Sequence, residues 1–294
     1  GLAELSISKQ LISESSKFLN KFKPTHLICY SPPIFFEKYI IYLKKNFGCK
    51  SFLILRDLFP FWAISTKIIR NYLLSKVLIN KFKSFIKVFD CVGVEAKYNI
   101  NYLKKKKVIF KKIIHLPNWI DIKNNLSNSK NIKNNFVFGG NIGLGQDIKK
   151  VCDLYNKLSD LSSSNSFKII GTGFTENLIN LNLKKKTLKK IKIFGTLEPN
   201  IYDKEIKKSS FGVVSLDDRI ESVNFPGRML NYIKLGLPIV LLTNKSNELS
   251  KFVIKNQIGV VVGSNTNILK KIINLKKIKK NFLMNNYKKK IILK

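Results

Sequence analysis

Short runs of β-branched or aromatic residues, closed by Gly, Pro or Ser and followed by stretches with helical apolar spacing, recur along almost the whole chain. Strand-then-helix units of this kind build a parallel sheet, because parallel neighbours need a crossover and a helix is the usual one. The fold class is therefore α/β. In the first half a helix over Ser8–Lys21 stops at Lys23-Pro24, where proline restricts the residue before it, and strands are expected at His26–Tyr30, Ser51–Leu55, Cys91–Val94 and Ile113–Leu116. The second half predicts strands at Phe136–Phe138, Phe167–Ile170, Ile191–Phe194, Gly212–Ser215, Pro238–Leu242 and Gly259–Val262, a complete doubly wound set. The first half has four strands and opens on a helix, so a domain incomplete at its start is expected there. An Asn-, Ser- and Lys-rich stretch between Leu116 and Asn135 reads as a linker, and Lys270–Lys294 as a basic amphipathic helix. The expected organisation is one domain over 1–120, a second over 121–275 and a terminal helix over 276–294.

At 45% hydrophobic residues the chain can bury a substantial core, which excludes a disordered basic tail. Lys and Arg number 54 against 18 Asp and Glu, a net charge of +36 that directs attention to anionic partners. Lysine is spread over the whole chain, however, as in a compositionally drifted sequence, so charge alone names no function. Cys29, Cys49, Cys91 and Cys152 lie far apart, and neither His26 nor His115 accompanies one at metal-ligand spacing. No zinc site and no disulfide framework is expected, and free cysteines fit a reducing cytoplasm. Arg56-Asp57 interrupts the most apolar region, so no membrane span is expected, and no secretory signal follows Gly1.

In an open parallel sheet, ligands sit beyond the carboxyl ends of the strands, so the loops there are where chemistry is expected. Gly139-Gly140-Asn141-Ile142-Gly143 follows the first strand of the second half and precedes a helix, where backbone N–H groups and the helix N-terminus suit a phosphate. Such turns also serve tight packing alone. Gly171-Thr172-Gly173 and Gly195-Thr196-Leu197 end the next two strands, as plain turns or as places where a nucleobase lies against bare backbone. After the fourth strand, Pro226-Gly227 marks a helix start that puts Arg228 in the first turn, with Asn231 and Tyr232 about one turn later. The helix dipole opposes a guanidinium there by roughly 0.3–1 kcal/mol, which an intervening diphosphate would offset. The competing reading pairs Arg228 with Asp217, Asp218 or Glu221.

The run Glu221-Ser222-Val223-Asn224-Phe225-Pro226-Gly227-Arg228 through Gly236-Leu237-Pro238-Ile239-Val240 resembles the donor-site segment of family-4 glycosyltransferases, particularly the bacterial surface-polysaccharide and O-antigen branch. Leu116-Pro117-Asn118-Trp119-Ile120-Asp121 resembles that family's interdomain motif, and Gly140-Asn141-Ile142-Gly143 with Gln146 its first glycine loop. Tyr30-Ser31-Pro32-Pro33 and Leu55-Arg56-Asp57-Leu58-Phe59-Pro60 are similar to its first-domain loops. The resemblance implies a GT-B architecture of two Rossmann-like domains, a nucleotide sugar on the second domain, the acceptor on the first, and transfer without a bound metal or other cofactor. It implies hexosyl transfer from a UDP-linked, often N-acetylated sugar to a polysaccharide or lipid-linked acceptor in cell-surface glycan synthesis. Arg228 would stabilise the departing diphosphate, with Glu221 and Asp57 as further catalytic candidates. Gly140, Asn141 and Gly143 would border the phosphates, Thr172 and Leu197 the base, and Asn231 the ribose. The two glutamates that the wider family spaces eight apart fall on Val223 and Asn231, and its first-domain His-Asp pair on Arg56-Asp57. By residue type alone, Arg56-Asp57 also reads as a solvated turn.

Acceptors of this branch imply contact with the inner face of the plasma membrane, which would use the charge of Lys76, Lys81, Lys83 and Lys87, or of the run Lys104–Lys107. Most of the apolar residues between the first four, Val77, Leu78, Phe82, Phe85 and Ile86, are expected to face the core. A UDP-sugar 2-epimerase shares the architecture but needs acid–base residues, for which the two histidines are poorly placed. A basic nucleic-acid-binding protein lacks any recognition motif here, and a non-catalytic relative would keep the fold alone.

Overall fold

A computed structural model of the chain describes residues 2–31, 34–118, 134–222, 225–243, 247–263, 271 and 275. Contacts divide the chain into two units, Gly1–Asn118 with Glu221–Asn224, and Trp119–Ile220 with Phe225–Lys294. The linker expected between Leu116 and Asn135 and the basic helix expected beyond Lys270 lie outside the described residues but for a few positions.

In the N-terminal unit, β1 (His26–Tyr30), β2 (Lys50–Leu55), β3 (Cys91–Val94) and β4 (Ile113–His115) form an all-parallel sheet in the order β1-β2-β3-β4. In the C-terminal unit, β5 (Asn135–Gly139), β6 (Ser166–Ile170), β7 (Ile191–Phe194), β8 (Phe211–Ser215), β9 (Ile239–Leu242) and β10 (Gly259–Val262) form a parallel sheet in the order β10-β9-β8-β5-β6-β7. Every strand lies within one residue of its expected bounds, because strands buried on both faces are near-continuous apolar runs. The first helix begins at Leu2 rather than Ser8, since Leu2-Ala3-Glu4-Leu5 are strong helix formers that apolar spacing does not single out.

The C-terminal order is doubly wound. Strands run outward from β5 to β7 on one side and from β8 to β10 on the other, so the chain reverses direction between β5 and β8. A ligand site is expected at the carboxyl ends of those two strands. The N-terminal sheet runs in one direction only, so the doubly wound character expected of both halves is complete, among the described residues, in the C-terminal unit alone.

Phe136, Phe167 and Phe211 bring three neighbouring strands together through ring contacts of 6.1 and 5.0 Å, and Tyr155 from the helix Ile148–Leu161 stacks on Phe167 at 4.6 Å. In the N-terminal unit the helix Tyr72–Lys87 buries Phe82, Phe85 and Ile86 completely, with Phe82 edge-on to Phe61 at 5.3 Å. The expected inward face of that helix is correct for these three and wrong for Val77, which is exposed. Cys29, Cys49 and Cys152 are buried and Cys91 is half-buried, all as free thiols.

A polar clamp joins β2 to the start of β3. Asp90 accepts from Lys44 Nζ at 2.7 Å, Lys111 Nζ at 3.2 Å and the Ser51 amide at 2.9 Å. Burial raises the Asp90 pKa, but these donors outweigh it and hold the carboxyl well below the ordinary carboxylate range. A carboxyl depressed in the folded state adds stability above its unfolded pKa of about 4 and loses it as pH falls through the lower folded value. Asp90→Asn is therefore expected to flatten the acid limb of a melting-temperature profile below about pH 4, and identical limbs would show that the clamp contributes nothing.

Candidate functional site

The helix Gly227–Lys234 carries the site because its register is fixed by one side chain. Pro226 precedes it with φ −58°, the value its ring imposes, and Met229, Leu230, Tyr232 and Ile233 face inward. The Tyr232 ring is fully buried, and its hydroxyl accepts the Gly139 N–H at 2.9 Å and donates to the Val137 carbonyl at 3.1 Å. Any Cβ at position 212 would overlap that ring, so Gly212 is what lets the helix sit this close to β8. Arg228, one turn earlier, is thereby held at the carboxyl end of β5. Tyr232→Phe leaves the Gly139 amide without its acceptor and is expected to lower stability by about 1–3 kcal/mol in urea unfolding. A change under a few tenths would refute the anchoring role.

Arg228 is 8% exposed, and its guanidinium lies 4.1 Å from the centre of the Phe138 ring. Its Nη2 donates to the Asn141 carbonyl at 2.6 Å, while Nη1 is buried with no hydrogen-bond partner. Burial lowers its pKa, with Tyr232 and Tyr202 opposing the shift. None of the three acids proposed as its partner reaches it. Asp217 accepts from the Arg219 Nε at 2.9 Å, Asp218 pairs with Lys150 at 2.8 Å, and Glu221 pairs with Lys106 at 3.4 Å within the N-terminal unit. Among the described residues no carboxylate stands within ion-pair distance of Arg228. A buried cation without a counter-charge costs several kcal/mol, and a bound anion is the natural compensation. The helix N-terminus beside it has no side-chain cap, and the space at Gly227 is open.

The glycine loops meet over Arg228. Gly140 has φ +106° and Gly171 φ +131°, both in the region that favours glycine, and a Cβ on Gly171 would collide with the Gly140 carbonyl. A Cβ on Gly140 would stand 3.6 Å from Arg228 Nε. Gly140, Asn141, Thr172 and Leu197, four of the residues expected to bind a nucleotide, line one depression of about 340 Å³ together with Ile170, Gly171, Thr196 and Tyr202. The Thr172 and Thr196 hydroxyls are 3.0 Å apart.

Part of the expected phosphate cradle is engaged elsewhere. The Gly140 amide donates to the Ile170 carbonyl at 2.8 Å and the Ile142 amide to the Thr172 carbonyl at 3.0 Å. Gly143 caps a short 3-10 turn, and the following helix opens on Asp147 at φ +44°, an acid where an anion was expected. These loops brace one another, whereas Arg228 Nη1 has no hydrogen-bond partner and the start of Gly227–Lys234 no side-chain cap. Burial raises the Tyr202 pKa, opposed by Arg228 and by the Asn231 side chain. Tyr202 escaped the sequence reading; its one signal is its place in the first turns of the helix Pro199–Lys207, just past the Gly195-Thr196-Leu197 loop.

At the carboxyl ends of β1 to β3 the N-terminal unit gathers a second polar group. Arg56 Nε donates to the Tyr30 hydroxyl at 3.3 Å, Arg56 Nη1 stands 3.8 Å from Glu95, and the Ser31 hydroxyl accepts the Arg56 amide at 3.1 Å. Glu95 is buried and also accepts from the Asn118 side chain. Burial pushes the Asp57 carboxyl up, opposed by the Trp62 indole and the Phe59 amide. The solvated-turn reading of Arg56-Asp57 is thus corrected: the ionic partner, Glu95, is 39 residues distant in sequence and carries no motif of its own.

No protein-family model matches the sequence, and no curated relative does. Solved structures match in fold. Sucrose-phosphate synthase from Thermosynechococcus elongatus aligns with TM-score 0.72 and 11% identity over 95% of this chain and 72% of that one. Anabaena HepE in complex with UDP aligns at 0.67 and 14%, over 94% and 77%. TarM aligns at 0.63 and 13%, over 91% and 51%, so this chain spans about half the length of TarM. Identities this low carry the fold alone, and that fold, two parallel-sheet α/β units, is the GT-B fold of glycosyltransferases.

Proposed function

We propose that the chain is a glycosyltransferase of family-4 type that moves a sugar from a UDP-linked, often N-acetylated donor to a glycan or lipid-linked acceptor of cell-surface polysaccharide. The observation that carries this reading is the Arg228 guanidinium, buried without a carboxylate beside a depression of nucleotide size. In the reaction, the bond between the anomeric carbon and the diphosphate breaks and its electron pair stays on the diphosphate oxygen. The acceptor hydroxyl oxygen bonds to that carbon, and its proton passes to the departing diphosphate oxygen. Arg228 and the first turn of Gly227–Lys234 stabilise the growing negative charge without a metal, and preorganised donors of this kind act with little reorganisation in a dry site. The base lies against Gly171, Thr172 and Leu197, and Tyr202 with Asn231 meets the ribose. Asp57, on the N-terminal unit, serves the acceptor side. HepE was solved with UDP, which supports that choice of nucleotide.

Thermal shift with UDP, GDP, ADP and an oligonucleotide, at low and moderate salt, tests the reading. UDP is expected to raise the melting temperature by the equivalent of about 2.7 kcal/mol at a hundredfold excess over its Kd, and the rise should survive added salt. A response to the oligonucleotide alone, fading with salt, would overturn it.

A further inference from the structure

Residues from the short helix Phe61–Ser65, from the loop after it and from the first two turns of the helix Tyr72–Lys87 line a depression of about 580 Å³. Helical spacing explains its shape. Tyr72, Ser75, Lys76 and Ile79 recur at i, i+3, i+4 and i+7 and so share one face of the longer helix, and of these the small Ser75 alone is fully buried. Half-buried Ile64, Ile69 and Ile79 make its apolar lining, and exposed Lys67, Arg70 and Lys76 its charged one. Lys81, further along the helix, is paired with Glu37 at 2.7 Å, but among the described residues no carboxylate reaches Lys67, Arg70 or Lys76. Arg70 Nε donates instead to the Lys67 carbonyl at 3.2 Å, and Lys76 lies over the Tyr72 ring at 5.7 Å.

An occupant that complements this depression brings negative charge and an apolar ridge together. A second copy of the chain, at a net charge of +36, brings like charge to like. A nucleic acid supplies phosphates but no apolar ridge, so the three isoleucines stay in water. A bilayer presents a plane on this scale and leaves a concave lining unfilled. A helix with an apolar stripe and acidic flanks meets every requirement: side chains three and four apart form the ridge that enters the depression, and carboxylates beside them reach the three cations.

We propose that this depression docks an acidic amphipathic helix of a partner protein. The inference does not rest on the transferase reading, since it needs no nucleotide and uses none of the residues assigned to the donor. It is tested by fluorescence anisotropy of the full chain with two synthetic peptides of about 20 residues and one composition. One places leucines at i, i+3, i+4 and i+7 with glutamates on the flanks; the other shuffles the same residues so that the stripe is lost. Because the net charge is +36, the control is a variant of equal charge change placed elsewhere. Arg70→Ala with Lys76→Ala is compared with Lys185→Ala with Lys189→Ala, all four positions being exposed. Wild type is expected to bind the striped peptide at least about tenfold more tightly than the shuffled one. The depression variant is expected to lose at least about tenfold in affinity for the striped peptide and the control variant less than about threefold, with melting temperatures of all three proteins alike. Equal affinity for the two peptides, equal losses in the two variants, or no binding of the striped peptide would each overturn the proposal. So would a depression variant that keeps the peptide but loses phosphatidylglycerol vesicles, which assigns the surface to a membrane, or one that loses a wild-type dimer in sedimentation velocity, which assigns it to a second copy.

Discussion

Arg228→Met is expected to weaken UDP binding by about 10- to 100-fold, the equivalent of one or two charge-assisted hydrogen bonds, while leaving the nucleotide-free protein as stable as wild type or more so. The two halves of that result have one cause. In the ligand-free site the guanidinium sits over Phe138 with one hydrogen bond from Nη2 and none from Nη1, so methionine removes a buried, uncompensated cation and keeps most of the apolar volume. In the complex, methionine leaves the diphosphate without its cation. Isothermal titration calorimetry with UDP reads the first effect, and urea unfolding of the free protein reads the second. A stability loss above about 2 kcal/mol would show instead that Arg228 is a structural residue, and unchanged affinity would show that the nucleotide lies elsewhere.

Gly171→Val is expected to destabilise the C-terminal unit by about 3–5 kcal/mol and to abolish the UDP-induced melting shift as well. A β-branched side chain is strained at φ +131°, and its Cβ would stand only 2.2 Å from the Gly140 carbonyl oxygen. Relief requires the two loops to separate, which breaks the bond from the Gly140 amide to Ile170 and draws the Asn141 carbonyl away from Arg228. Gly227→Ala is the contrast. Nothing lies within 4 Å of a Cβ there, and the same experiment should show a change under about 1 kcal/mol. Equal effects at both positions would mean that glycine flexibility, rather than the contact between the loops, decides the outcome.

All ten strands and the start of the helix Gly227–Lys234 were readable from local pattern, since a strand buried on both faces writes itself as an apolar run and a Pro-Gly pair marks a helix start. Gly140, Asn141, Thr172 and Leu197 could be nominated for the same reason, each lying in a loop just after a strand. Local pattern is silent about strand order, and so about the reversal between β5 and β8 that makes these loops neighbours. It is equally silent about partners distant along the chain. The Arg228–Asn141 bond spans 87 residues and the Tyr232–Gly139 bond 93. Three nearby acids in sequence kept an ion pair with Arg228 open as the competing reading, and packing alone sent Asp217 to Arg219, Asp218 to Lys150 and Glu221 to Lys106. The amides of Gly140 and Ile142 were likewise free by sequence and engaged once β6 was laid beside β5. Short-range sterics and burial periodicity are properties of neighbouring residues and can be read in one dimension. Whether a buried charge finds its counter-charge depends on which loops the sheet brings together, and only the folded chain decides that.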